Sequence, residues 1–284
     1  MAGAVRRSAL ALFPIWAVIC AVLGAAALPA HAPQTVVSAS GPQTPAEQAD
    51  FLRTAEIVRS RSVSRGVTGI SRLTLSNGAV THDAAFQSID ERRLFTEFAR
   101  GGGEVRFADS YHFNIAGYRL AGLLGLDHMV PVTVERRWRD KVGALSWWVD
   151  AAFDERERIK RELSPPDTEA WNRQMHRVRV FSALIYDTDR NLGNILITED
   201  WKIWMIDFSR AFRPWKKLLR PDDLQRCDRR LLERLEQLTA ETVREAVGNH
   251  LRREELDGLM ARRDLIVARI RQLVAERGEQ AVLY

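Results

Sequence analysis

Three side chains near the middle of the chain have the types and spacing to do chemistry together. Asp189 and Asn194 lie five residues apart in the loop "DRNLGN", and Asp207 follows thirteen residues after Asn194. Between them, "ILIT" and "KIWMI" read as two short strands joined by "EDW". Such a hairpin folds Asp207 back beside Asn194. An amide oxygen and a carboxylate held side by side form a hard-oxygen pair suited to Mg²⁺, which keeps waters or phosphate oxygens in its other positions. Asp189 then stands free to orient a hydroxyl. Positioning, metal neutralisation of charge and an acceptor for a hydroxyl proton are what phosphoryl transfer needs.

The elements around this stretch have to place it. At 284 residues, 46% hydrophobic and 28% charged, the composition is that of an ordinary globular protein with ample material for a core. The formal charge is +5, and setting aside Arg6 and Arg7 leaves about +3, too weak a balance to imply nucleic acid. The lysines are Lys141, Lys160, Lys202, Lys216 and Lys217, so the first 140 residues contain none.

Residues 1–32 read as a signal peptide or signal anchor: two arginines, an apolar run of about nineteen residues from Ala9, then small residues. Lipidation is rejected because Val18-Ile19 precede Cys20 where a small residue is needed. The body is therefore expected to be exported, with membrane contact only through an uncleaved anchor. Residues 33–48 read as a linker rich in Pro, Ser, Thr and Gln. Beyond the leader only Cys227 remains, expected as a buried structural thiol.

Residues 49–150 read as a β-rich lobe. "EIVRSRSV", "ISRLTLS" and "AVTHDAAFQSI" are strand-like, and Asn77-Gly78 joins the last two as a two-residue turn. Between the first two, "SRGVTG" places Gly66, Thr68 and Gly69 in a turn whose backbone N–H groups are able to cover phosphates. Gly101-Gly102-Gly103 reads as a flexible break. "FNIAGYRLAGLLGL" is a helix with one face on a sheet, continued by the strands "MVPVTVERRW" and "ALSWWVDAAF".

Residues 151–284 read as a helical lobe. Asp167 caps the helix "TEAWNRQMHRVRVFSALIY", and three helices close the chain, at 221–238, 239–247 and 252–277, with Gly248 and Gly278 at their ends. The arginine-rich closing helices read as solvated faces on an apolar stripe. His82, His112, His128, His176 and His250 are too dispersed to suggest a ligand set, and no H-E-x-x-H, C-x-x-C or G-x-S-x-G is present. Trp201 and Trp204 read as packing, and Asp187 as a solvated loop charge.

"DRNLGN…MIDF" resembles the D-R-x-x-x-N…I-D-F pattern of the phosphoinositide 3-/4-kinases. More broadly it resembles the atypical kinases, which include secretory-pathway protein kinases and bacterial Hip-type kinases. The resemblance implies an α+β, two-lobed protein-kinase-like fold with one main helix in the small lobe. It also implies Asp189 as catalytic aspartate, Arg190 as the structural arginine after it, and Asn194 and Asp207 as ligands of Mg²⁺ or Mn²⁺ with ATP.

The likeness departs at the third strand. Where active kinases carry a phosphate-contacting lysine, this chain has Gln87, and the acidic partner on the helix becomes Asn114. A Gln87–Asn114 hydrogen bond is expected in place of an ion pair. Arg72, or else Arg65, is the cation expected to reach phosphate. Two readings follow: a monomeric kinase taking a nucleotide and an unknown hydroxyl acceptor, protein or small molecule, and a nucleotide-binding pseudokinase serving as a scaffold.

Overall fold

The computed structural model describes residues 41–63, 69–98 and 101–284, which cover most of the expected small lobe and all of the expected helical lobe. The leader, Arg65, Gly66 and Thr68 lie outside the described residues.

Order begins earlier than the composition suggests. Helix α1 (Pro45–Thr54) starts within the expected linker. Thr44 accepts from the Glu47 N–H while the Glu47 carboxylate accepts from the Thr44 N–H, a reciprocal cap with proline in the first turn. Its last carbonyls, Leu52 and Ala55, accept from Arg136 at 2.6 and 2.7 Å, which ties the helix to the sheet.

That sheet contains β1 (Glu56–Ser62), β2 (Ser71–Ser76) and β3 (Thr81–Gln87). The chain then leaves it for a separate hairpin, β4 (Asp90–Glu97) and β5 (Gly103–Ser110), and for helix α2 (Tyr111–Leu123). It returns as β6 (Thr133–Trp138) and β7 (Lys141–Trp147), giving the antiparallel order β1-β2-β3-β7-β6. The β2–β3 turn is placed one residue later than expected: Asn77 donates its N–H to the Val80 carbonyl at 3.2 Å, with Gly78 and Ala79 between them, and its side chain accepts from Ala79 and Val80. The glycine run is not a break. Gly101 and Gly102 take φ of 86° and 80°, where a side chain is strained, and turn β4 into β5.

Period-2 alternation divides β2 and β3 into two faces. Leu73, Leu75, Ala84 and Phe86 enter a core with α1, Val134 and Leu145. Each fully buried leucine there contributes roughly 1.5–3 kcal/mol. Arg72, Thr74, Asp83, Ala85 and Gln87 share the opposite face.

The helical lobe follows from β8 (Phe153–Asp154) and α3 (Glu155–Lys160) into α4 (Thr168–Ile185), whose first turn is capped by Asp167 as expected. Strands β9 (Ile195–Ile197) and β10 (Ile203–Met205) form the expected hairpin, with β8 on the far side of β9. Helices α5 (Arg229–Gln237), α6 (Ala240–Val247), α7 (Arg253–Arg277) and α8 (Glu279–Val282) close the chain. The first of these starts at Arg229 rather than Pro221, because Asp228 supplies the cap. Cys227 is buried, and burial pushes its thiol up to about 12.

Two expectations fail on packing. Helix α2 buries more than one face: Ala116, Leu120 and Ala121 join the large core of the helical lobe, while Tyr111 and Ile115 pack with Ala144 of the sheet. The closing helices are not solvated throughout either. Arg262 on α7 is fully buried and donates to the carbonyls of Leu184 and Arg213 at 2.7 and 2.9 Å, and to that of Trp215.

Candidate functional site

The loop after α4 is built around one buried ion pair. Arg190 meets Asp187 at 2.5 Å, with both side chains almost wholly buried. Asp187 is therefore not a solvated charge; its Oδ1 also accepts from the Asp189 N–H at 3.0 Å. The ion pair uses Arg190 Nη2, and Nη1 donates to the carbonyls of Asn194 (2.8 Å) and Ile206 (2.7 Å). One guanidinium thus braces both ends of the β9–β10 hairpin.

Hairpin register does the rest. Met205 pairs with Ile195, and the Ile206 N–H donates to the Asn194 carbonyl at 3.1 Å. Asp207, next in sequence, is thereby delivered beside Asn194. The Asn194 amide donates to the Asp189 carbonyl at 3.0 Å, which joins the third residue to the set.

Asp207 is held in an unusual backbone state. Its φ is 54°, in the left-handed region that aspartate tolerates better than most residues. Both flanking peptides are fixed: Ile206 through Arg190, and the Phe208 N–H through Asn114, whose Oδ1 accepts it at 2.7 Å. Asn114 also donates its side-chain N–H to Gln87 Oε1, and both residues are buried. The amide pair expected from sequence is thus in contact, and it links β3 to the backbone beside Asp207. Gly117, one turn along α2, makes the approach feasible, since a Cβ there would lie 2.8 Å from the Phe208 ring.

Burial pushes the Asp207 carboxyl above its ordinary range, with the Ser209 hydrogen bonds opposing. A second carboxylate, Asp109 at the end of β5, was not singled out from sequence. It is buried, its Oδ1 has no hydrogen-bond partner, and burial, with the Asp207 charge in support, pushes it up as well. An orphaned buried oxygen and a desolvated neighbouring carboxylate fit a divalent cation, whose charge would offset the cost of desolvation. A lone Asp before an N-cap serine offers no local signal, and only the packing of β5 against residues 207–213 reveals it.

Above these groups lies an apolar cavity of about 110 Å³. Ala85, Thr133, Trp148 and Val149 line it on the sheet side, and Leu196, Ile206 and Asp207 on the other. The tandem tryptophans at the end of β7 were the missed sequence cue. Arg72 lies on the Ala85 face, but its guanidinium pairs with Asp83 and stacks 4.0 Å over the Trp148 ring. The structure thus gives it a carboxylate and an aromatic wall as partners. Gly69 has φ 60°, and the Val63 N–H donates to the Ile70 carbonyl at 2.9 Å.

The β4–β5 hairpin secures the segment after Asp207: Glu104 pairs with Arg210 and, at 2.5 Å, with Arg213. Histidines expected to be dispersed are not all so. His112 and His250, 138 positions apart, bring their Nδ1 atoms within 2.9 Å.

No family model matches this chain, and no curated protein matches it in sequence. Solved structures do. The structure of hydra Fam20 with sugar aligns over 84% of this chain and 91% of its own, with a TM-score of 0.61 at 13% identity. The crystal structure of the Golgi casein kinase aligns over 84% and 78%, with a TM-score of 0.60 at 13% identity. The chain has an atypical kinase-like fold, a small antiparallel-sheet lobe beside a helical one.

Proposed function

We propose that this chain is an exported phosphotransferase that moves the γ-phosphoryl group of ATP to a hydroxyl of a protein or small molecule. The observation that carries the reading is the double bracing of Asp207, by Arg190 through Ile206 and by Asn114 through Phe208, beside Asn194. Asp207 and Asn194, with Asp109 in support, would hold Mg²⁺ or Mn²⁺, which when bound supplies neutralisation of phosphate charge. Asp189 accepts the hydroxyl proton as the new oxygen–phosphorus bond forms and ADP departs. The apolar cavity under Ala85 and Trp148 takes the adenine, and the glycine turn 66–69 covers the phosphates. Export rests on the leader-like first 32 residues; among the described residues no helix is long and apolar enough to cross a membrane.

The neutral Gln87–Asn114 pair favours a second reading, a nucleotide-binding pseudokinase. Transfer of radiolabelled γ-phosphate by the full chain, with Mg²⁺ and then Mn²⁺, separates the two. Label transfer that falls by about 10²–10⁴-fold in Asp189→Ala supports the kinase. Bound nucleotide without any label transfer supports the pseudokinase.

A further inference from the structure

We infer that the chain carries a second metal site, of the zinc class, built from His112, Glu135 and His250 at the junction of the two lobes. One ligand atom from each of the three lies within 4.8 Å of the others. The residues come from the start of α2, from β6, and from the loop between α6 and α7, so no local turn explains their meeting.

The convergence is supported from behind. The Nε2 of His112, the nitrogen not facing His250, lies 3.8 Å from Asp90 Oδ2. At that distance the carboxylate makes no hydrogen bond, but its charge behind the imidazole favours a bound cation and stands where metal-bound histidines usually have an outer carboxylate partner. Glu135 accepts from the Tyr111 hydroxyl at 3.4 Å, so the carboxylate also has an outer hydrogen bond. The backbone leading to His250 is anchored as well, because Arg119 of α2 donates to the carbonyls of Ala246 and Val247.

Two imidazoles and one carboxylate form a borderline-soft donor set. It suits Zn²⁺, with water completing the coordination, better than Mg²⁺, which prefers oxygen throughout. The site is separate from Asp207 and Asn194 in both residues and donor type. Its consequence is mechanical: His112 lies two residues before Asn114, so a metal shared with His250 pins the start of α2 to the helical lobe.

Zinc binding to the tag-free full chain, in millimolar Mg²⁺ to saturate oxygen-rich sites, tests the inference by calorimetry and by metal content after gel filtration. One Zn²⁺ per chain and a Zn²⁺-dependent rise in melting temperature are expected, both retained in Asp207→Asn. Both should be lost in His250→Ala and in the surface variant Glu135→Gln, while Asp90→Asn weakens binding by about 10–100-fold. Circular dichroism checks that each variant is folded. Absence of Zn²⁺ uptake, or equal uptake by wild type, His250→Ala and Glu135→Gln, overturns the site and leaves the imidazoles as an ordinary hydrogen-bonded pair.

Discussion

The two walls of the cleft handle charge in opposite ways. On the wall built from the loop after α4, Asp187 and Arg190 form a buried ion pair, with Asp109, Asp189 and Asp207 nearby. On the sheet wall, the corresponding buried contact is between two neutral amides, Gln87 and Asn114. An ion pair at that point would serve two purposes, positioning the helix and presenting a cation to phosphate. The amide pair retains the first, because Asn114 still bridges β3 to Phe208. It drops the second, and it avoids the desolvation cost of burying charge. Geometry and charge are thus separable parts of one contact between strand and helix.

The largest test of this contrast lies on the charged wall. Arg190→Ala strands the Asp187 carboxylate and frees two carbonyls, and should cost about 3–5 kcal/mol in urea unfolding. Asp187→Asn combined with Arg190→Met should recover part of the loss. A loss below 1 kcal/mol for Arg190→Ala would mean that the ion pair does not organise the loop.

The neutral wall should be softer. Asn114→Leu removes a hydrogen-bond partner from Gln87 and from the Phe208 N–H, for about 1–3 kcal/mol. Gln87→Lys and Asn114→Glu should each destabilise alone and compensate when combined, with a coupling of about 0.5–3 kcal/mol. Additive losses in that cycle would show that the site no longer accepts an ion pair.

Arg72 samples the outer edge of the same wall. If its role is to stiffen the Trp148 side of the cavity, Arg72→Ala should weaken nucleotide binding by only about 2–5-fold, the size of an exposed cation–π contact. A loss of 100-fold or more would instead make Arg72 the phosphate cation expected from sequence.

The smallest effect is a pH dependence. His82 stacks on Trp147 with centroids 3.7 Å apart, and its Nε2 lies 3.1 Å from the Trp148 carbonyl. Burial pulls its pKa below the ordinary 6.5. The unfolded chain therefore binds the proton first, and the stability that neutral His82 contributes is present above pH 6.5 and lost as pH falls below it. Melting curves from pH 7.5 to 5 should show a shallower decline for His82→Phe than for wild type. Parallel declines would mean that the imidazole is not protected.

Local signals served well where the relevant geometry is short-ranged. A hairpin brings residues thirteen apart to the same place whatever surrounds it, so Asn194 and Asp207 were readable as neighbours. Exchange of both members of an expected pair likewise pointed to Gln87 touching Asn114. Other local signals were present and overlooked. Thr44-Pro45 with Glu47 is a helix start, and Val105 and Phe107 alternate through "GEVRFADS", a strand signal directly after the glycine run.

By itself the sequence determined the order of lobes, the loop 187–194 and the hairpin after it, since these depend on propensity, caps and register within a few residues. Only tertiary structure decided that Asp187 is buried against Arg190, that Asp109 joins Asp207, and that Arg72 turns to Asp83. It also decided that His112, Glu135 and His250 meet. These contacts span up to 138 residues, and no periodicity encodes them. The meeting of His112, Glu135 and His250 depends on α2 being packed between the sheet and the helical lobe, and that packing, driven by apolar area, carries the polar groups along with it.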